Sequence, residues 1–224
     1  MSLVTRVSAT RIPRSSVCLR ALSRGALFAM ALVALLAQPA LAGVWSETGD
    51  AGDSLAGAQL TVGSGSLDTI TGTIASLGDV DMYCIRVTDT QAFNAFMTCT
   101  VVDENDLWLF DQNGFGLAAN DGCQFSVIDI TDQFVTSTGV HYLAVSASEV
   151  EALSSGGPIW SPLIDVSEMA PDGTGAAFAL SGWDTTQALL IFPNYTITLV
   201  GATFCDSPVP TENTTWGRVK SLYK

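Results

Sequence analysis

Residues 103–122 read DENDLWLFDQNGFGLAANDG, and within them Asp103, Asp106, Asp111, Asn120 and Asp121 offer the hard oxygen donors that calcium selects. An EF-hand loop needs ligands at its positions 1, 3 and 5, a Gly at 6 and a Glu at 12. Counting from Asp103 puts Trp108 at position 6; counting from Asp111 puts Gly116 there, but Phe115 and Gly122 then fall where ligands belong. Neither register works. A calcium site here has to be built from turns that converge in space, with those five residues as its candidates. LWLF alternates as a strand does, and DQNG (Asp111–Gly114) supplies residues that tolerate a tight turn, so the stretch is first of all a hairpin.

Other chemistry is thinly represented. The single histidine, His141, alternates with Leu143 and Val145, the position of a packed residue rather than of a base beside a nucleophile. There is no G-x-S-x-G elbow and no G-x-x-x-x-G-K-[ST] phosphate loop. Paired carboxylates for a hydrolase are recognised by spatial separation, and Glu149, Glu151, Asp165 and Glu168 are the candidates for that alternative. Trp108, Trp160 and Trp183 are candidates for an aromatic sugar platform, with Trp160 and Trp183 the better placed because they fall in a loop-rich stretch, whereas Trp108 reads equally well as core.

The first 42 residues read as an export leader. Arg6, Arg11, Arg14, Arg20 and Arg24 precede the apolar run Ala26–Ala37, and Ala40-Leu41-Ala42 has the A-x-A form of a cleavage site. The run is shorter than the roughly 20 apolar residues of a membrane span, so no integral span is expected after cleavage. Gly43–Lys224 keeps four basic residues, Arg86, Arg218, Lys220 and Lys224, against all 22 acids, a formal charge of −18. Such a surface repels phosphate backbones, so neither nucleic acid nor an anionic membrane is expected as a partner. The expected location is secreted: extracellular, periplasmic or at the cell surface. Cys18 leaves with the leader, and Cys84, Cys99, Cys123 and Cys205 remain, an even set that suggests disulfides. Four cysteines allow three pairings; the working expectation is Cys84–Cys205 with Cys99–Cys123.

The elements that must position these residues are strands. Period-2 segments bounded by Gly, Asp and Asn recur from Leu60 to Phe204: Thr71–Gly78, Asp81–Val87, Ala92–Val101, Leu107–Phe110, Phe115–Ala119, Gln124–Ile130, Gly139–Ser146 and Asn194–Phe204. In DMYCIRV, Tyr83, Ile85 and Val87 share the face expected to point into the core. Gly43–Gly65 suits an extended lead-in strand. Glu149–Pro193 is punctuated by Gly and Pro and reads as long loops, where a binding surface is expected. From Asp206 on, DSPVPTENTTWGRVKSLYK reads as a linker and a short peptide, either a flexible tail or an amphipathic turn of helix that serves sorting or anchoring.

The order DVDMYCIRV, DLWLFDQNGFGLAANDG, TSTGVHYLAVS and YTITLVG resembles the bacterial pre-peptidase C-terminal domain family, whose members carry a D-x-D-x-Y/F strand, a D-L-x-L-F/Y-D-x-x-G hairpin followed by N-D, and a G-x-Y-Y-x-x-V strand. The likeness covers about Leu60–Phe204 and departs from the family in the four cysteines and in the Glu149–Pro193 insertion. It implies an all-β, antiparallel β-sandwich of jelly-roll type, attached in its relatives to secreted hydrolases, with a non-catalytic binding role and in some cases calcium. The reading is therefore a leader at 1–42, one sandwich domain at 43–206 and a short C-terminal peptide at 207–224. The expected function is that of a monomeric binding module for an extracellular protein or polysaccharide, with calcium in the acidic turns. The alternative is a secreted carboxylate hydrolase with its site in the 149–193 loops.

Overall fold

The computed structural model describes residues 43–98, 105–121, 127–162, 167–189 and 193–206. The expected leader, Cys99, Asp103, Cys123, Asp165 and the C-terminal peptide from residue 207 lie outside them. Among the described residues no helix is long and apolar enough to cross a membrane.

The molecule is all-β, as expected. Among the described residues the strands are β1 (Val44–Ser46), β2 (Gln59–Leu60), β3 (Thr69–Thr73), β4 (Val80–Val87), β5 (Asn94–Thr98), β6 (Asn105–Asp111), β7 (Gly116–Asn120) and β8 (Val127–Ile130), followed after a 3-10 turn by β9 (Gly139–Ala147), β10 (Glu151–Ser154), β11 (Gly157–Pro158), β12 (Leu180–Asp184), β13 (Asn194–Val200) and β14 (Ala202–Phe204). One sheet has the order β1, β3, β13, β5, β8. A second has the order β14, β4, β9, β6, β7, with β2 pairing in parallel with β4 at Tyr83 and Cys84.

These two sheets enclose the main core, because alternate residues of each strand turn inward. Ile70, Ala95, Met97, Ile128, Ile130, Ile197 and Leu199 come from the first sheet. Tyr83, Ile85, Val87, Leu107, Leu109, Leu143 and Val145 come from the second. Tyr83, Ile85 and Val87 thus lie on the face that their alternation requires. His141 belongs to the same alternation and is 1% exposed. Its Nδ1 lies 3.0 Å from the Gly139 carbonyl oxygen, and burial lowers its pKa.

Two expectations from the sequence change. Asn194–Phe204 is not one strand: Gly201 adopts φ 72°, a left-handed conformation that glycine accepts without strain. There the chain leaves the first sheet as β13 and enters the second as β14. The Glu149–Pro193 stretch is not simply loop either, since it folds a third, small sheet of order β11, β10, β12. That sheet belongs to a second apolar layer, in which Val150, Ala152, Ile159 and Trp160 meet Val80, Met82, Trp108, Phe110 and Ala144 from the outer face of the second sheet. The second sheet is consequently buried on both faces, which is why β4 and β6 are apolar on both.

Cys84 and Cys205 form a disulfide, with Cα atoms 5.5 Å apart. Buried Thr61 braces it: its hydroxyl donates to the Cys84 carbonyl (2.7 Å) and accepts from the Cys205 amide (2.9 Å).

Candidate metal centre

Within the described residues 105–121 the hairpin forms as the sequence requires, with β6 and β7 paired antiparallel and Gly114 at φ 84° in the turn. Its described candidate ligands, Asp106, Asp111, Asn120 and Asp121, do not form one site. Asp111 closes the turn, where Oδ1 accepts from the amides of Asn113 (2.8 Å) and Phe115 (2.9 Å). Asp106 lies five residues back along β6, a distance of roughly 17 Å at strand rise, near the end where Leu107 faces Asn120. Asn120 spends its amide on the Asp129 carbonyl (2.6 Å), and Asp106, Asn120 and Asp121 are all buried. Asp111 therefore cannot share an ion with Asp106, Asn120 and Asp121, and its role in the turn is sufficient reason for an acid there.

The expected aromatic platform also resolves into packing. Trp160 is 3% exposed, wedged edge-on against Trp108 and Phe110, with its indole NH donating to the Met169 carbonyl. A ligand has no face of it to stack on. Trp183 is half-buried against Trp108 and Phe110 and donates its indole NH to the Asp53 carbonyl (2.6 Å). Of the acids considered for hydrolysis, Glu168 accepts from both the amide (2.9 Å) and the hydroxyl (2.5 Å) of Thr131. Glu149 is exposed in the bend after β9, with φ 62°, and Glu151 is half-buried at the start of β10.

Carboxylates do converge elsewhere. Oxygens of Glu47, Asp50 and Asp81 all lie within 4.8 Å of one another. Two oxygens bound to one calcium at 2.3–2.6 Å are at most about 5 Å apart, so the three fit one coordination sphere. The fold brings them together from distant parts of the chain. Glu47 follows β1, which pairs in parallel with β3; Asp50 follows in the next turn; Asp81 is the second residue of β4, in the other sheet. Glu47 is fixed by two backbone donors, Ala51 N to Oε1 (3.0 Å) and Thr73 N to Oε2 (2.7 Å). Each carboxylate oxygen has a second lone pair, so these bonds orient Glu47 without preventing ligation.

Asp81 is the unusual member. It is 0% exposed on the core-facing side of β4, the side of Tyr83, Ile85 and Val87. Its Oδ2 accepts the Tyr195 hydroxyl at 2.6 Å, and that hydroxyl is also bonded to the hydroxyl of Tyr83. Its Oδ1 is buried and makes no hydrogen bond. Burial pushes the carboxyl up to about 8; the Tyr195 hydrogen bond opposes this, and Glu47, Asp79 and Asp50 push the same way as burial. Asp79 is raised as well, chiefly by burial, and accepts from the Ala75 amide at 2.6 Å. Both tyrosine hydroxyls are driven further toward the neutral form by burial, so they serve as donors. A buried carboxylate with an unfilled oxygen among like charges is what a cation would relieve.

Gly72 makes room for this arrangement. A Cβ there would lie 2.1 Å from Tyr195 Oη and 2.7 Å from Tyr83 Oη. Gly72→Ala is expected to cost about 1–3 kcal/mol in urea unfolding by overpacking. Unchanged stability would mean that the tyrosines can step aside and that their link to Asp81 is dispensable.

The sequence pointed to calcium but to other residues. The signal available was the alternation itself: an Asp at a core-facing position of a strand is costly unless something pairs with it. Glu47 and Asp50, about thirty residues upstream, carry no local signal. Neither a protein-family model nor a curated protein matches the chain.

Proposed function

We propose that the chain is an exported, non-catalytic β-sandwich module that binds an extracellular partner, protein or polysaccharide, and that calcium held by Glu47, Asp50 and Asp81 fixes its N-terminal segment to the sandwich. The single observation carrying this reading is Asp81, a fully buried carboxylate with one oxygen unfilled, facing two further carboxylates within 4.8 Å. The ion would join the segment after β1 to the start of β4 and so clamp together parts of both sheets. The motif likeness to the pre-peptidase C-terminal domain supports a binding role with calcium, now with a different ligand set from the hairpin acids. The leader-like residues 1–42 and the disulfide support export to an oxidising compartment.

Thermal unfolding with calcium and with excess chelator tests it, because a ligand that binds only the folded state raises its stability. At a hundredfold excess over Kd the gain is about 2.7 kcal/mol, or about 5–10 °C in Tm for a domain of this size. The rise is expected to survive Asp111→Asn and to disappear in Asp50→Asn. Equal melting in calcium and chelator defeats the proposal.

A further inference from the structure

Two of the three carboxylates, Glu47 and Asp50, border a cleft of about 750 Å³ whose lining mixes short polar side chains with Gly49, Gly72, Ala75 and Tyr195; buried Asp81 is not part of that lining. Glu47 and Asp50 stand at one side. The Ser, Thr and Asn part of the lining lies on the outward face of three neighbouring strands, where register sets Ser46 beside Thr71 and Thr71 beside Thr196 in one row. Thr73 stands beside Asn194 in the next row. Neighbouring strands lie about 4.8 Å apart and successive outward residues about 6.7 Å apart, so the hydroxyls and the amide form a grid on the scale of a sugar ring. Four of these five side chains are exposed and Thr71 is half-buried. No Lys or Arg lines the cleft, and no large apolar side chain is exposed within it. An anionic ligand finds no counter-charge there, and an apolar peptide anchor finds no pocket.

We infer that this cleft binds a neutral polyhydroxylated ligand, a carbohydrate with vicinal hydroxyls, held jointly by the cation and by the Ser/Thr/Asn grid. The inference rests on the cation reading above. It does not rest on a cluster of acids alone, because Asp81 is 0% exposed and presents an oxygen without a hydrogen-bond partner. Three carboxylates leave part of calcium's six to eight positions to other oxygens. Asp50 is exposed and borders the cleft, so those positions face it. A pair of adjacent sugar hydroxyls supplies two neutral oxygens in place of two waters, and Asn194 and Thr196 are placed to hydrogen-bond the remaining hydroxyls.

The test uses the protein purified from cells expressing the full chain, run on mannan-agarose and galactan-agarose, with Tm measured in parallel. Retention on at least one column in calcium, release by chelator and by free mannose or galactose, and an at least tenfold loss of retention in the double variant Asn194→Ala/Thr196→Val are expected. The double variant should keep the full calcium-dependent rise in Tm, which separates a ligand contact from a folding defect. A calcium-dependent rise in Tm with no retention on either column overturns the carbohydrate assignment and leaves the cation site standing. No rise in Tm removes both. Retention that persists in chelator also overturns it, because the acids would then be binding the matrix without an ion.

Discussion

In chelator at pH 8, Asp81→Asn is expected to be more stable than the parent protein, and it should no longer respond to calcium. The sign follows from the direction of the shift. The Asp81 carboxyl is raised from 3.8 to about 8 in the folded chain, first by burial. The folded state therefore binds the proton more tightly than the unfolded state, and stability is fully present below about pH 4 and lost as pH rises toward about 8. A shift of that size is worth at most about 6 kcal/mol. Asn does not ionise, keeps an acceptor for the Tyr195 hydroxyl, and lacks the slope. Calcium reverses the trend in the parent only, because it binds the ionised carboxylate, so the stability gained from calcium should grow over the range where the cation-free protein weakens. Denaturant unfolding at pH 5 and pH 8, with calcium and with chelator, measures all four terms. A calcium response retained in the variant, or a chelated parent equally stable at both pH values, sinks the assignment of Asp81.

The strands that build the sandwich were legible because each buries one face, and burial leaves a period of two in the residues. Tyr83, Ile85 and Val87 in β4 and Leu143 and Val145 in β9 follow it and enter the main core. Trp108 stayed ambiguous because that argument treats the opposite face as wet. Here the opposite face carries Met82, Trp108, Phe110 and Ala144, covered by the insertion. The insertion itself was read as loop because its strands are two to five residues long and separated by Gly and Pro turns, with Gly157 at φ 111°. Short strands carry too few alternations to register as a period.

The candidate site was less legible for a different reason. Composition pointed to the residues where acids are dense, and density in a turn reflects turn geometry, as the two amides on Asp111 Oδ1 make plain. Convergence in space depends instead on pairings that sequence does not announce. β1 joins β3 in parallel, β3 joins β13, and β13 carries Tyr195 across the core to Asp81. Of the three carboxylates, only Asp81 carried a signal within its own strand, an acid at a core-facing position, and it is not among the candidates drawn from the sequence.

Removing the Cys84–Cys205 bridge tests how the same frame is held in the unfolded state. The bridge spans a sequence separation of 121 residues, and in the chain-entropy account a loop of that length is worth about 4–5 kcal/mol. Paired replacement, Cys84→Ala with Cys205→Ala, is expected to lower Tm by about 10–20 °C. The effect acts on the unfolded chain, because in the folded state β14 remains paired with β4 and Thr61 still offers its hydroxyl to both backbone partners. The calcium-dependent increment should therefore be the same with and without the bridge, although Cys84 lies three residues from Asp81 on the same strand. A fall in Tm accompanied by loss of the calcium increment would mean that the bridge fixes the position of Asp81 in the folded state. A fall of less than about 2 °C would mean that the unfolded chain already keeps these ends together.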